Sequence, residues 1–291
     1  MTTTGQRYQF RNSPHQLHPL QDVLDPHTIR GLARVGVKPG MRALDLGAGA
    51  GSITRHLAGL VGPDGNVTAV DLDTQLLNPT SIIDVYQRDL RTQPIPTTPD
   101  GYDVINARCL LEHLPNRVDL LRQMIDLLRP GGWLVLGEIV YSRIVVHRAP
   151  TEPDASLITR AVHGVLDTLA DRGVDLHWGE NTPALLLAAG MNHVHARGLT
   201  ETWTGGGPGC ALYANNAHQL HDQLIDTGLT VEDLARFTEL MADPYVVISS
   251  YQFATVHAQN PNPPHHPEPP HLIGPAAAAC HHDTKRGQAS R

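Results

Sequence analysis

The sequence predicts an α/β fold built on a doubly wound, mostly parallel sheet, and three observations carry that expectation. An apolar run with one acid, Ala43-Leu44-Asp45-Leu46, feeds into Gly47-Ala48-Gly49-Ala50-Gly51. Ser52-Ile53-Thr54-Arg55-His56-Leu57-Ala58 follows, so the stretch reads as strand, tight turn and helix. A second short strand over 66–73 ends in acids, with Asp71 twenty residues beyond Gly51. Apolar strand segments then alternate with helical ones as far as Val140, the pattern of a parallel sheet covered on both faces.

Each element has its own signal. Residues 1–7 are polar and read as frayed, and Tyr8 to Pro19 as a flexible arm or a lid. Leu20 to Val35 carries apolar residues at helical spacing. Asp25-Pro26 interrupts it as a cap and first turn, which predicts two short helices. Met41–Leu46, Val67–Val70, Ile82–Gln87, Asp103–Ala107 and Trp133–Val140 are the expected strands. The expected helices between them are Ser52–Leu60, a short and poor one at Gln75–Asn78, and Arg117–Leu128, ended by Pro130-Gly131-Gly132. Beyond Tyr141 the regularity fades. Helices are expected over Asp154–Asp171, Pro183–Ala189, Ala211–Asp226 and Val231–Ala242, the last capped by Thr230 with Asp233 three residues on. Strands are expected at His193–Thr202 and Tyr245–Val256, with a flexible break at Gly205–Gly209. The proline- and histidine-rich run 257–291 reads as a disordered tail, whose histidines can bind metal adventitiously.

Composition narrows the function. With 291 residues, 41% of them hydrophobic, the chain can bury one large core with additions or two modest ones. A net charge of −7 and the lack of a basic stripe argue against a nucleic-acid partner. No apolar run approaches a membrane span and the N-terminus has no apolar leader core, so no membrane partner and a cytoplasmic location are expected. Cys109, Cys210 and Cys280 lie far apart, giving no disulfide framework and no metal spacing; Cys109 is expected to be a buried, inert thiol.

The glycine loop is a nucleotide cradle. Glycine permits the turn and brings a ligand against bare backbone, and the helix that follows aims unpaired N–H groups at it. A dinucleotide fingerprint needs glycine three residues after Gly49, but Ser52 stands there. That mismatch, with the lack of a Tyr-x-x-x-Lys pair, weighs against the alternative of a nicotinamide-dependent oxidoreductase. Asp71 stands where an acid accepts from ribose hydroxyls.

Asp45-x-Gly47-x-Gly49-x-Gly51, Asp71, Asp89 and Leu128-Arg129-Pro130-Gly131-Gly132 together resemble the ordered motifs of class I S-adenosylmethionine-dependent methyltransferases. More narrowly, the lead-in from Leu24 to Gly40, the segment Arg108 to Arg117 and Gly206 to Pro208 resemble small-molecule methyltransferases common in actinobacteria. The resemblance spans roughly 8–256. It implies a Rossmann-like, seven-stranded sheet whose last strand pair is antiparallel. S-adenosylmethionine would be the cofactor and S-adenosylhomocysteine the product, with a small-molecule acceptor, plausible in secondary metabolism, methylated at O, N or C. Residues 1–35 would then be arm and lid helices and 36–141 the cofactor core. Residues 142–256 would complete the core, with insertions at 142–180 and 205–244 that build the substrate pocket.

The resemblance also distributes roles. Gly47, Ala48, Gly49 and Gly51 form the cofactor loop, and Asp71 with Leu72 takes the ribose. Asp45 holds the cofactor's amino group, directly or through water, or serves as a capping acid beneath the loop. Asp89 and the backbone N–H of Leu90 meet the adenine, unless Arg88-Asp89 is a surface ion pair. Asn106, Ala107 and Arg108 end the fourth strand facing ligand, and Arg108 pairs with a ligand carboxylate or sits in a structural salt bridge. His113 is the candidate general base, or else packs against the cofactor or caps a turn. Glu138 and Tyr141 are lesser candidates. Tyr8, grouped with His113 as catalytic, lies on the arm with His15; His177-Trp178 is the other candidate lining of the substrate pocket. A non-catalytic module is disfavoured by the intact glycines and Asp71. A homodimer stays open.

Overall fold

The computed structural model describes residues 14–141 and 144–261, with side chains from Leu17 onward. Its elements run α1 (Pro14–Val35), β1 (Arg42–Leu46), α2 (Ser52–Val61), β2 (Asn66–Asp71), β3 (Ile83–Gln87), β4 (Tyr102–Arg108), a 3-10 turn at Leu111–His113, α3 (Arg117–Leu127) and β5 (Leu128–Val140). They continue as β6 (Val146–Arg148), α4 (Glu152–Asp171), α5 (Trp178–Ala188), β7 (Asn192–Leu199), β8 (Thr202–Thr204), α6 (Pro208–Gln219), α7 (His221–Asp226), α8 (Val231–Ala242), β9 (Val247–Ser249) and β10 (Gln252–Gln259).

The apolar strands assemble into one seven-stranded sheet in the order β3-β2-β1-β4-β5-β10-β7. Strands β3, β2, β1, β4 and β5 run parallel to one another, and β10 runs antiparallel to both β5 and β7. The order reverses at β1, between β2 and β4, which places the ligand-binding crevice of such a sheet above the C-terminal tip of β1. One core cluster joins α3, α5 and one face of the sheet; another joins α1, α2 and the other face.

A third cluster lies beyond the sheet. There α4, α6, α7 and α8 pack on a three-stranded sheet, β6-β9-β8, around Leu157, Tyr213, Phe237 and Ile248. The chain passes between the two sheets twice at one corner, from β7 into β8 and from β9 back into β10. The backbone N–H of Ser250 donates to the Glu201 carbonyl at 2.8 Å, and the N–H of Glu201 donates to Ser250 Oγ at 2.8 Å. Two expected strands are therefore four. The 193–202 strand ends at Leu199 and resumes as β8, and the 245–256 strand divides into β9 and β10. The expected capping box is present, with Thr230 and Asp233 bonded at 3.0 and 3.2 Å.

Other expectations are corrected for physical reasons. Leu20–Val35 is part of one continuous helix despite Pro19 and Pro26. A proline inside a helix costs about 3 kcal/mol. Burial of Leu17, Val23, Leu24 and Leu32, each worth about 1.5–3 kcal/mol, outweighs that. Gly31 lets α1 lie close on the sheet, since a Cβ there would come within 2.9 Å of Thr255 Cγ2. Gln75–Asn78 is not a helix, because the carboxylates of Asp71 and Asp73 each accept a backbone N–H two residues on and hold the segment in turns. Leu128–Gly132 opens β5 instead of merely stopping α3, with a register slip between Tyr102 and Val104. The Asn260 carbonyl accepts from Gly131 there at 3.0 Å. The run expected as tail thus begins inside structure, since His257–Gln259 belong to β10 and Asn260 is buried; 262–291 lie outside the described residues. Helix α5 starts at Trp178, five residues before Pro183, and the 211–226 helix begins at Pro208 and breaks at Leu220. The glycine-rich 205–209 segment is packed, not loose: a Cβ on Gly209 would sit 2.0 Å from Trp203 Cδ2.

Candidate cofactor and acceptor cleft

A cleft of about 1260 Å³ opens above the C-terminal tips of β1, β2 and β4 and runs to the wall formed by α4, α6 and α7. At one end is the glycine loop. Gly47, Gly49 and Gly51 have φ of 70°, 56° and 75°, a left-handed conformation that disfavours any residue with a Cβ. The loop is stitched to the neighbouring strand: the N–H groups of Gly47 and Ala48 donate to the Val70 carbonyl at 2.9 and 3.2 Å. Asp71, at the tip of β2, accepts the Gly49 N–H on Oδ2 at 2.8 Å and the Asp73 N–H on Oδ1 at 3.0 Å.

Gly47, Ala48, Gly49, Asp71, Leu72, Asp89, Leu90, Arg108 and His113 line this cleft. Asp89 does not pair with Arg88. Its carboxylate takes both Nε and Nη2 of Arg91 at 2.8 Å, and this guanidinium holds the carboxyl below its usual range. Arg108 reaches α1, where its Nη1 donates to Asp25 Oδ1 at 2.6 Å, and Ser52 Oγ donates to the same oxygen at 3.0 Å. Asp25, expected as a helix cap, thus ties α1 to β4 and to the start of α2.

Four of the sequence-singled residues stand behind the wall. Asp45 is fully buried, and its oxygens accept from Thr54 Oγ1 at 2.6 Å and Asn106 Nδ2 at 2.8 Å. Burial raises its pKa despite those two bonds. Asn106, directly beside it in register, and Ala107 are buried too. Gly51 is also buried, its Cα facing Leu77 and Arg55. The Asp45 carboxylate thus ties β1 to α2 and β4, and none of the four lines the cleft.

The far end of the cleft has a different chemistry. Cys109, Glu112, Ile139, Tyr141 and Tyr251 meet Val165, Leu169 and Leu212 from the helical unit. Glu112 accepts the Tyr141 hydroxyl at 3.1 Å and the Ile139 N–H at 3.2 Å, and its Oε1 lies 3.4 Å from His113 Nε2. Burial, then the Glu112 charge, pushes the Tyr141 phenol well up, so it stays a neutral donor. Glu138 lies behind this end, buried with neither oxygen hydrogen-bonded, and burial followed by the Glu112 charge raises its pKa well above the usual range.

Several expectations about this end change. Cys109 is half-buried in the cleft wall at a φ of 48°, a strained conformation for a residue with a side chain, and burial pushes its thiol up. His177 is exposed and pairs with Glu180 at 3.1 Å, while Trp178 is buried in the sheet core; neither lines the cleft. The 142–180 and 205–244 segments do reach it, through α4, α6 and α7. Tyr8 and the His15 side chain lie outside the described residues. Leu17, Leu20 and Gln21 of α1 line the cleft as well, in the stretch expected as arm and lid, and so does Tyr251, which no motif marks and only its place in the fold reveals. Among the described residues no cluster of three or more His, Cys, Asp or Glu side chains could hold a metal ion, and no helix is long and apolar enough to cross a membrane.

Comparison with known proteins agrees with this geometry. Residues 44–134 match the family model of a methyltransferase domain. The chain is 30% identical to methyltransferase str2 of Strobilurus tenacellus over 159 residues, 54% of this chain and 55% of the relative. It is 32% identical to the ubiquinone/menaquinone biosynthesis C-methyltransferase UbiE of Ectopseudomonas mendocina over 113 residues, 35% of this chain and 43% of the relative. The chain therefore spans about half the length of the curated relatives it matches. In fold it is similar to a phosphoethanolamine N-methyltransferase 2 of Haemonchus contortus solved with S-adenosyl-L-methionine, at a TM-score of 0.52 and 16% identity, covering 88% of this chain and 58% of that one. It is likewise similar to a cyclopropane-fatty-acyl-phospholipid synthase-like protein of Lactobacillus casei, at a TM-score of 0.51 and 16% identity, covering 82% and 92%. Sheet order, glycine loop and sequence similarity thus agree: over residues 44–134 the chain is similar to a methyltransferase domain.

Proposed function

We propose that the protein is an enzyme that transfers the methyl group of S-adenosylmethionine to a small-molecule acceptor. The observation that carries this reading is the glycine loop fastened to Asp71 at the head of a cleft whose far end is closed by apolar and aromatic side chains.

The donor set fits the cofactor. The Asp71 oxygens would take the ribose hydroxyls, and Leu72, an exposed hydrophobe on the cleft wall, would cover one face of the adenine with Leu90 nearby and Asp89 at its edge. The loop's bare backbone, fastened to the Val70 carbonyl and to Asp71, would lie along the cofactor's middle. Once bound, S-adenosylmethionine supplies a methyl group on a sulfonium whose departure leaves a neutral thioether. The protein's work is then mainly to hold the acceptor in line and exclude water. Positioning of that kind can supply about 7–11 kcal/mol.

An acceptor hydroxyl or amine must also shed a proton. Glu112, with its negative charge held between the Tyr141 hydroxyl and the Ile139 N–H, orients His113 at the cleft wall. We assign His113 as the group that receives that proton. Val165, Leu169, Leu212 and Tyr251 leave space for a compact, partly apolar acceptor, which agrees with a role in secondary metabolism. The choice among O, N and C is set by the acceptor. The UbiE relative is named a C-methyltransferase, but its similarity covers 35% of this chain.

The test is incubation with S-adenosylmethionine and a panel of small phenols, amines and carbon acids, followed by S-adenosylhomocysteine release. Release with at least one acceptor class is expected. Calorimetry showing no binding of either nucleoside at millimolar concentration would contradict the assignment.

A further inference from the structure

A second pocket, of about 50 Å³, lies between α1 and the outer edge of the main sheet and shares no residue with the cleft. Its floor is made by cross-strand pairs of β10 and β7, His257 opposite His195 and Thr255 opposite Arg197. Its wall is one face of α1, which presents His27, Arg30 and Arg34 at helical spacing. On a chain of net charge −7, three guanidinium groups and three imidazoles therefore converge on one small concavity.

These charges are not neutralised locally. Among the described residues no carboxylate lies within ion-pair distance of Arg30, Arg34 or Arg197. The acid beside the pocket, Glu201, is taken up by His27 at 3.2 Å and by the Trp203 indole N–H at 3.2 Å. At the pocket floor His257 is buried, and its Nδ1 has no hydrogen-bond partner. A buried polar atom without a partner calls for an explanation, and an absent ligand is a direct one.

We propose that this pocket binds a phosphate group, either as inorganic phosphate or as the terminal monoester of a small metabolite, held between Arg34 and Arg197 over His257. A tetrahedral dianion offers acceptor oxygens in several directions at once. That matches donors arriving from a helix on one side and a strand on the other, and arginine forks suit such an anion. S-adenosylmethionine carries no phosphate, so the site serves a different molecule from the one in the cleft.

The surroundings of His257 give the proposal a signature. From α1 it faces His27, Arg30 and Arg34, from β7 His195 and Arg197, and from β5 the uncharged Trp133 ring at 6.1 Å. Burial first, then the charges of His195 and Arg34, lower its pKa to about 4. A bound phosphate opposes those positive charges and raises that pKa, so the environment of the His257 ring changes on binding.

The experiment is calorimetric titration of the full chain with inorganic phosphate and with glycerol 3-phosphate slightly above neutral pH, where both probes are mainly dianions. Saturable binding with movement of the His257 ring signals in NMR spectra is expected. R34Q and R197Q, both exposed positions, should each weaken the affinity about ten-fold or more and leave S-adenosylhomocysteine affinity unchanged. Tighter binding of the monoester would identify a metabolite as the source, and equal binding free phosphate; either supports the site. Failure of both probes to bind, equal affinity in an R34Q/R197Q double variant, or saturation without movement of the His257 signals would overturn it.

Discussion

Asp71 makes the glycine loop and the neighbouring strand one object, because the carboxylate that would receive the ligand's sugar already holds the Gly49 N–H. Loop shape and ligand contact are therefore lost together when it is removed. Gly51 shows the same economy: at a φ of 75° an added Cβ would be strained and would press on Leu77 Cδ2 at 2.9 Å. Gly51→Ala should destabilise the fold by about 1–2 kcal/mol, read from the urea midpoint at unchanged slope. If His113 takes the acceptor's proton, His113→Asn should lower kcat for a hydroxyl acceptor about 100-fold and leave S-adenosylhomocysteine affinity as it was; a change confined to KM would make it a packing residue. The cradle residues were legible in the sequence because the chemistry dictates their type and spacing. The direction of Asp45 was not, since it depends on Thr54 and on Asn106, which stands 61 residues away in sequence.

At the scale of elements, α1 acts as a strap. It crosses from the cleft at Leu17, Leu20 and Gln21 to the sheet edge at Arg34, and is pinned midway where Asp25 meets Arg108 and Ser52. Both side chains of the Asp25–Arg108 pair are largely shielded, 22% and 11% exposed, so screening by water only partly weakens it. Arg108→Ala should cost about 1.5–3 kcal/mol in chemical denaturation, and Arg108→Lys should recover part of that; no change for the alanine variant would mean the strap is held by its apolar face alone. The sequence showed where helix and strand periodicity begins, but not that α1 runs through two prolines. Four buried apolar side chains settle that, and their burial belongs to the tertiary structure. Nor could local alternation reveal that two strands change sheets at one corner, because the Ser250–Glu201 contact joins segments 49 residues apart.

Over the whole molecule, a parallel-sheet core and a helical unit enclose a cleft between a polar, loop-built end and an apolar, aromatic one. The interface carries a pH-dependent cost. Glu138 is buried without a hydrogen bond beside the Glu112 charge, and its pKa in the folded state lies above its unfolded value of 4.5. Its contribution is fully present below that unfolded value and is lost as pH rises through the folded one. Urea midpoints should accordingly fall from mildly acidic to alkaline pH. Glu138→Gln, which keeps the shape without the charge, should flatten that slope and be the more stable protein at its upper end. Asp45, raised in the same direction by burial, leaves a smaller residual slope. A variant whose pH dependence matches the unaltered protein would show that Glu138 stays ionised. The alternation of strand and helix up to Val140 made the first half of this architecture legible. The second core was not, because its helices pack on one another and on a small sheet that no repeating pattern announces.

The central claim is that the bend after β1, secured by Asp71, grips an S-adenosyl nucleoside. Calorimetric titration with S-adenosylhomocysteine tests it most directly. The unaltered protein should bind, and Asp71→Ala should bind about ten-fold or more weakly. Equal affinity in the two proteins would contradict it.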